Sequence, residues 1–171
     1  ANSYSAVLPP SAFDLLDERM QIEISAPVGT VTVPGHMFGG GELPEGDIEI
    51  RIEQADAGEL SEDLRGQIGG RPVLDVSVSS GGQRLSWSNP NAPVTIRIPY
   101  RPTPEEMANP EHITVWYIDA QGQAVAVPSG RYDPVTGTVL FQVPHLSKFA
   151  GVFVQKTFHD LEGFDWAKTA V

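Results

Sequence analysis

The 171-residue chain contains no cysteine, so neither a disulfide framework nor a thiolate metal site is available, and stability must come from burial and hydrogen bonding. Histidine is scarce. His36, His112, His145 and His159 are scattered, without the spacing that sets two ligands on one helix face, and neither a metal nor any other cofactor is expected. No apolar run approaches the roughly 20 residues of a membrane span, which argues against membrane insertion. No signal peptide opens the chain, and the sequence reads as an excised or mature fragment. Basic residues are few: 11 Lys and Arg stand against 22 Asp and Glu, a net charge of −11. That balance disfavours nucleic acid or an anionic membrane surface as a partner. There is no calcium loop of alternating Asp or Asn, no internal repeat and no low-complexity tract. Gly39-Gly40-Gly41 has no following lysine and helix start, so it reads as a flexible loop and not as a phosphate cradle.

What is present is a period of two. Met20-Gln21-Ile22-Glu23-Ile24-Ser25 alternates apolar and polar residues, as do Asp47-Ile48-Glu49-Ile50-Arg51-Ile52-Glu53, Val73-Leu74-Asp75-Val76-Ser77-Val78 and Val94-Thr95-Ile96-Arg97-Ile98. Such runs are half-buried strands with one packed face and one wet face. The chain has 17 Gly and 15 Pro, which punctuate the runs at short intervals, and Ser79-Ser80-Gly81-Gly82 reads as a hairpin turn. Strands are predicted at about 20–26, 28–34, 47–55, 72–79, 83–88, 93–100, 113–119, 123–127, 138–143 and 149–155. Many short strands without helical alternation predict an all-β fold, a β-sandwich of mostly antiparallel strands with one or two short helices.

Helical signals are brief. Residues 9–17 fit a short helix with Phe13 and Leu16 on one side, and a short acidic helix fits Glu59 to Arg65. Thr103-Pro104-Glu105-Glu106 fits a capping box with proline at the first helical position, stopped by Asn109-Pro110. The carboxylates Glu59, Glu62 and Asp63 are most simply a solvated face. Trp116 and Tyr117 are adjacent in a strand and must point to opposite faces. One is expected inside the sandwich and the other exposed or against a neighbouring domain.

One segment orders three groups for chemistry. In Pro144-His145-Leu146-Ser147 a possible base, a possible scissile bond and a hydroxyl nucleophile are consecutive. The Ser147 hydroxyl can attack the Leu146 carbonyl and shift the acyl group from nitrogen to oxygen, with His145 accepting the hydroxyl proton and water then opening the ester. The plainer reading of the same residues is a polar lead-in to a buried final strand.

Residues 113 to 154 contain the Ile113-Thr114-Val115-Trp116-Tyr117-Ile118-Asp119 run, the Asp133-Pro134-Val135-Thr136-Gly137 turn, Thr138-Val139-Leu140-Phe141-Gln142-Val143 and then His145-Leu146-Ser147. This stretch resembles the end of a β-sandwich superfamily. It includes the autoproteolysis domain of adhesion-type receptors, with a His-Leu-Ser/Thr cleavage motif, and the ankyrin/netrin-receptor type domains, some of which cleave at His-Phe-Ser. The receptor version carries disulfides, which this chain lacks. The resemblance implies a catalytic set of His145, Leu146 and Ser147 if the domain cleaves itself.

A second resemblance covers residues 97 to 154, with Ile98-Pro99-Tyr100-Arg101-Pro102-Thr103-Pro104, Asn109-Pro110-Glu111-His112-Ile113 and Gly130-Arg131-Tyr132-Asp133-Pro134. It is to the module found just upstream of S-layer homology repeats in bacterial surface proteins. Thr157-Phe158-His159-Asp160, followed by Phe164-Asp165-Trp166-Ala167, resembles the opening of such a repeat. The resemblance implies a sandwich module over residues 1–156, then a linker and a truncated repeat start over 157–171. It also implies an extracellular, cell-surface location, with neighbouring domains of the parent protein, and cell-wall or S-layer components, as partners. Two functions follow as expectations: a non-catalytic spacer next to wall-anchoring repeats, or the same fold with self-cleavage between Leu146 and Ser147.

Overall fold

The alternation of residue type becomes an alternation of burial. In the strand Ile48–Gln54, Ile48, Ile50 and Ile52 are fully buried, while Arg51 and Gln54 are exposed. The computed structural model describes residues 3–14, 20–39 and 43–154. In chain order its elements are β1 (Ser3–Leu8), α1 (Ser11–Asp14), β2 (Gln21–Ala26), β3 (Gly29–Pro34), β4 (Ile48–Gln54), α2 (Glu62–Ile68), β5 (Val73–Ser80), β6 (Gln83–Arg84) and β7 (Val94–Pro99). They continue with α3 (Pro104–Ala108), β8 (Ile113–Ile118), β9 (Ala124–Ala126), β10 (Arg131–Asp133), β11 (Thr138–Val143) and β12 (Lys148–Phe153).

The strands form two sheets. One has the order β1-β4-β5-β12-β8-β9, with β6 also on β5, and the other the order β10-β11-β7-β3-β2. Their pairings are antiparallel. The protein is an all-β sandwich. Inward residues of both sheets make one core, with Ile50, Val76, Val115 and Phe149 from the first sheet meeting Val31, Ile96, Val139 and Phe141 from the second. Each such aliphatic or aromatic side chain contributes roughly 1.5–3 kcal/mol by leaving water.

β12 occupies the centre of its sheet, between β5 and β8. Its inner face carries Phe149; its outer face carries Ala150 and Val152, which pack with Leu60, Leu64 and Ile68 in a second core under α2. With both faces covered, the segment Lys148–Phe153 has to be apolar on both sides, which is why it lacks the alternation of the other strands. Gly151 is required by close approach: a Cβ there would stand 2.8 Å from the Tyr100 ring.

The helices start where the caps require. Ser61 accepts a hydrogen bond from the Leu64 amide at 3.3 Å, so α2 begins at Glu62 and runs to Ile68, later than the expected 59–65. The Thr103 capping box forms as expected: the Thr103 hydroxyl accepts from the Glu106 amide at 3.2 Å, and the Glu106 carboxylate accepts from the Thr103 amide at 3.1 Å. Glu106 is buried because it does more than cap. It also accepts from the Tyr100 hydroxyl at 3.1 Å and from the Arg71 guanidinium, which lies 4.0 Å from the Tyr100 ring centroid. Burial, with the Glu106 carboxylate alongside, pushes the Tyr100 hydroxyl well above its ordinary pKa, against the opposing pull of Arg71.

Some expectations need amending. β1 and β10 were not among the predicted strands. The predicted strand at 83–88 is two residues of β6 and an isolated bridge from Ser88 to His145. Leu16 and residues 157–171, with the proposed boundary after 156, lie outside the described residues. Among the described residues no helix is long and apolar enough to cross a membrane.

Candidate self-cleavage site

β11 belongs to one sheet and β12 to the other, so Pro144 to Ser147 must carry the chain across the sandwich. Proline suits the departure point because it has no N–H to offer a ladder. The crossing is pinned at both ends. The Asn89 amide donates to the Pro144 carbonyl at 2.8 Å, and the Val76 amide donates to the Ser147 carbonyl at 3.1 Å. In between, the His145 backbone bridges Ser88, and the Leu146 side chain packs against the main core.

Of the three candidate residues, His145 and Ser147 are brought into side-chain contact. His145 Nδ1 lies 3.2 Å from Ser147 Oγ, the reach at which an imidazole takes a hydroxyl proton. The imidazole is held by rings on two neighbouring strands. Tyr117 meets it edge-on, with centroids 4.5 Å apart, and Phe149 lies nearly parallel at 6.2 Å. Tyr117 and Phe149 are cross-strand partners of β8 and β12, so the two rings form one slot. Burial in that slot lowers the His145 pKa, which keeps the ring unprotonated and competent as a base at neutral pH.

Outside this crossing lies a groove of about 880 Å³. Leu146 and Ser147 form part of its wall, and the other side comes from Glu59 to Ser61 and the turn between β8 and β9. Two ion pairs stand in it, Lys148 with Glu59 at 2.9 Å and Arg84 with Asp75 at 3.1 Å. Ser147 therefore contacts a base and also belongs to the wall of a polar groove.

The remaining readings resolve by contact. Tyr117 packs on the main core, whereas Trp116, expected in solvent or against another domain if Tyr117 is inside, packs in the second core under α2. Glu62 and Asp63 are exposed in the first turn of α2, as a solvated face should be, while Glu59 pairs with Lys148. His36 Nε2 lies 3.2 Å from the Asn91 carbonyl and His112 Nδ1 lies 3.0 Å from that of Val154. His159 lies outside the described residues. The slot made by Tyr117 and Phe149, the groove, and the Asp75 to Arg84 pair were missed in the sequence. The only sequence signal for the slot is the equal alternation of Tyr117 and Phe149 on strands whose pairing the sequence does not specify.

No family model matches the chain, and no solved structure matches it. Over 99 residues it is 25% identical to an amylopullulanase of Thermoanaerobacterium thermosulfurigenes, an alignment that takes in 58% of this chain and 5% of that protein. The chain thus spans a small part of the length of the curated relative it matches.

Proposed function

We propose that this domain is a non-catalytic structural module, a spacer, of a bacterial cell-surface protein, lying next to wall-anchoring repeats of the S-layer homology type. The likeness to an amylopullulanase, confined to 5% of that protein, is compatible with a module of a longer surface protein; the spacer role and the neighbouring repeats rest on the resemblances of residues 97–171. The resemblance of residues 97–154 to the module upstream of S-layer homology repeats, and of 157–171 to the opening of one, supports the same reading. So does the architecture. A spacer has to be a stiff body, and β12 is clamped by a strand on each side and a core on each face. The partners are the neighbouring domains of the parent protein and components of the wall or S-layer. The test is to label intact producing cells with an antibody to this domain. Surface labelling, with the antigen in the wall fraction, is expected; labelling only after lysis overturns the proposal.

A second reading is favoured by the 3.2 Å contact of His145 Nδ1 with Ser147 Oγ: the module cleaves itself once, between Leu146 and Ser147. In this reaction Ser147 Oγ bonds to the Leu146 carbonyl carbon as its proton passes to His145. The carbon–nitrogen bond breaks, the Ser147 nitrogen takes the proton, and water then splits the ester. Twisting the peptide bond from planarity assists the first step and costs about 1 kcal/mol for ~12°. Ser147→Ala abolishes such cleavage, and His145→Ala slows it by about 10²–10⁴-fold. Wild-type chain that stays whole for days at neutral pH, and resists hydroxylamine at that bond, rules it out.

A further inference from the structure

We propose that Ser147 is an acyl acceptor for small carboxylic esters that enter the groove, an intermolecular reaction distinct from cleavage of the chain's own peptide bond. Three observations combine. The first is the activated hydroxyl: His145 Nδ1 stands 3.2 Å from Ser147 Oγ, and the Tyr117 and Phe149 rings fix the orientation of the imidazole. The second is proximity to a groove: Ser147 is part of its wall, so a ligand held there lies next to the residue that would accept the acyl group. The third is size. The groove, about 880 Å³, falls in the range of roughly 300–1,000 Å³ typical of small-molecule sites, far more room than a hydrolytic water needs.

The step balances without a further reagent. Ser147 Oγ forms a bond to the ester carbonyl carbon while its proton moves to His145 Nδ1. The bond from that carbon to the alkoxy oxygen breaks, and His145 returns the proton to the departing alkoxide. The products are acyl-Ser147 and an alcohol. The polar walls, with the Lys148 to Glu59 and Arg84 to Asp75 pairs, favour esters with short, polar acyl groups over long aliphatic ones.

The experiment uses the full chain with p-nitrophenyl acetate, read by peptide mass after digestion. One acetyl group on Ser147 Oγ, removable by hydroxylamine, is expected, with His145→Ala slowing its formation by about 10²–10⁴-fold. Equal acetylation in wild type and His145→Ala overturns the proposal. Should that variant fail to fold, the wild-type digest decides: acetylation of Ser147 no greater than that of the exposed Ser129 also overturns it. The outcome is separate from self-cleavage. An adduct on an uncut chain upholds the acyl acceptor without chain cleavage, and a chain cut at Leu146/Ser147 that forms no Ser147 ester upholds cleavage and ends this proposal.

Discussion

The molecule holds two polar clusters against aromatic rings, and they are built differently. At the Glu106 cluster three donors, Arg71, Tyr100 and the Thr103 amide, converge on one carboxylate oxygen. At the crossing between the sheets, His145 and Ser147 share a single hydrogen bond and Ser147 faces a groove. Several hydrogen bonds sharing one buried acceptor rigidify a fold. A base and hydroxyl joined by one bond, with space in front, contribute little to rigidity and remain free to react. The first cluster is therefore structural, and the second is the place to which the proposed reactions are assigned.

The largest effect that would sharpen this contrast is at Glu106. Glu106→Ala strands the Arg71 guanidinium and the Tyr100 hydroxyl and should cost about 3 kcal/mol, measured by urea unfolding; a loss under about 1 kcal/mol would make the cluster ornamental. Next is Gly151→Ala. Its new Cβ would meet the Tyr100 ring at 2.8 Å, and displacing that ring from the cluster should cost about 2 kcal/mol, read as a lower thermal midpoint. Ser147→Ala should cost less, about 1 kcal/mol or below, because it removes one hydrogen bond beside an open groove. If it costs as much as Glu106→Ala, both clusters are structural and the contrast collapses.

The smallest effect is in pH. Burial holds His145 below its ordinary value of 6.5, so as pH falls through that value the unfolded chain takes up a proton before the folded chain does. Stability is then full above the ordinary histidine pKa and declines below it, until the folded state is protonated too. His145→Gln should flatten this decline between about pH 7 and pH 5, followed by denaturation at each pH. An unchanged slope would mean that the Tyr117 and Phe149 slot leaves the imidazole in water.

The sandwich was legible because alternation is a local signal: Ile48, Ile50 and Ile52 declare a buried face without knowledge of any partner. The Thr103 capping box was legible for the same reason, its two hydrogen bonds spanning only three residues. β1 was not, since Ser3–Leu8 alternates weakly between small and apolar residues and gains its role by pairing with β4. Glu106 illustrates the limit most clearly. Its capping role is written in the sequence, but its burial depends on Arg71, 35 residues away. At the candidate site, the order His145-Leu146-Ser147 drew attention to these residues, while the slot around His145 and the groove lined by Ser147 depend on strands brought together only by the fold.

The measurement that bears most directly on the spacer reading is the intact mass of freshly purified protein, repeated after days at neutral pH. A structural module gives one species of 18.5 kDa, unchanged with time and with hydroxylamine. Two fragments meeting at Leu146 and Ser147 would contradict it and make the His145 and Ser147 pair a working self-cleavage site.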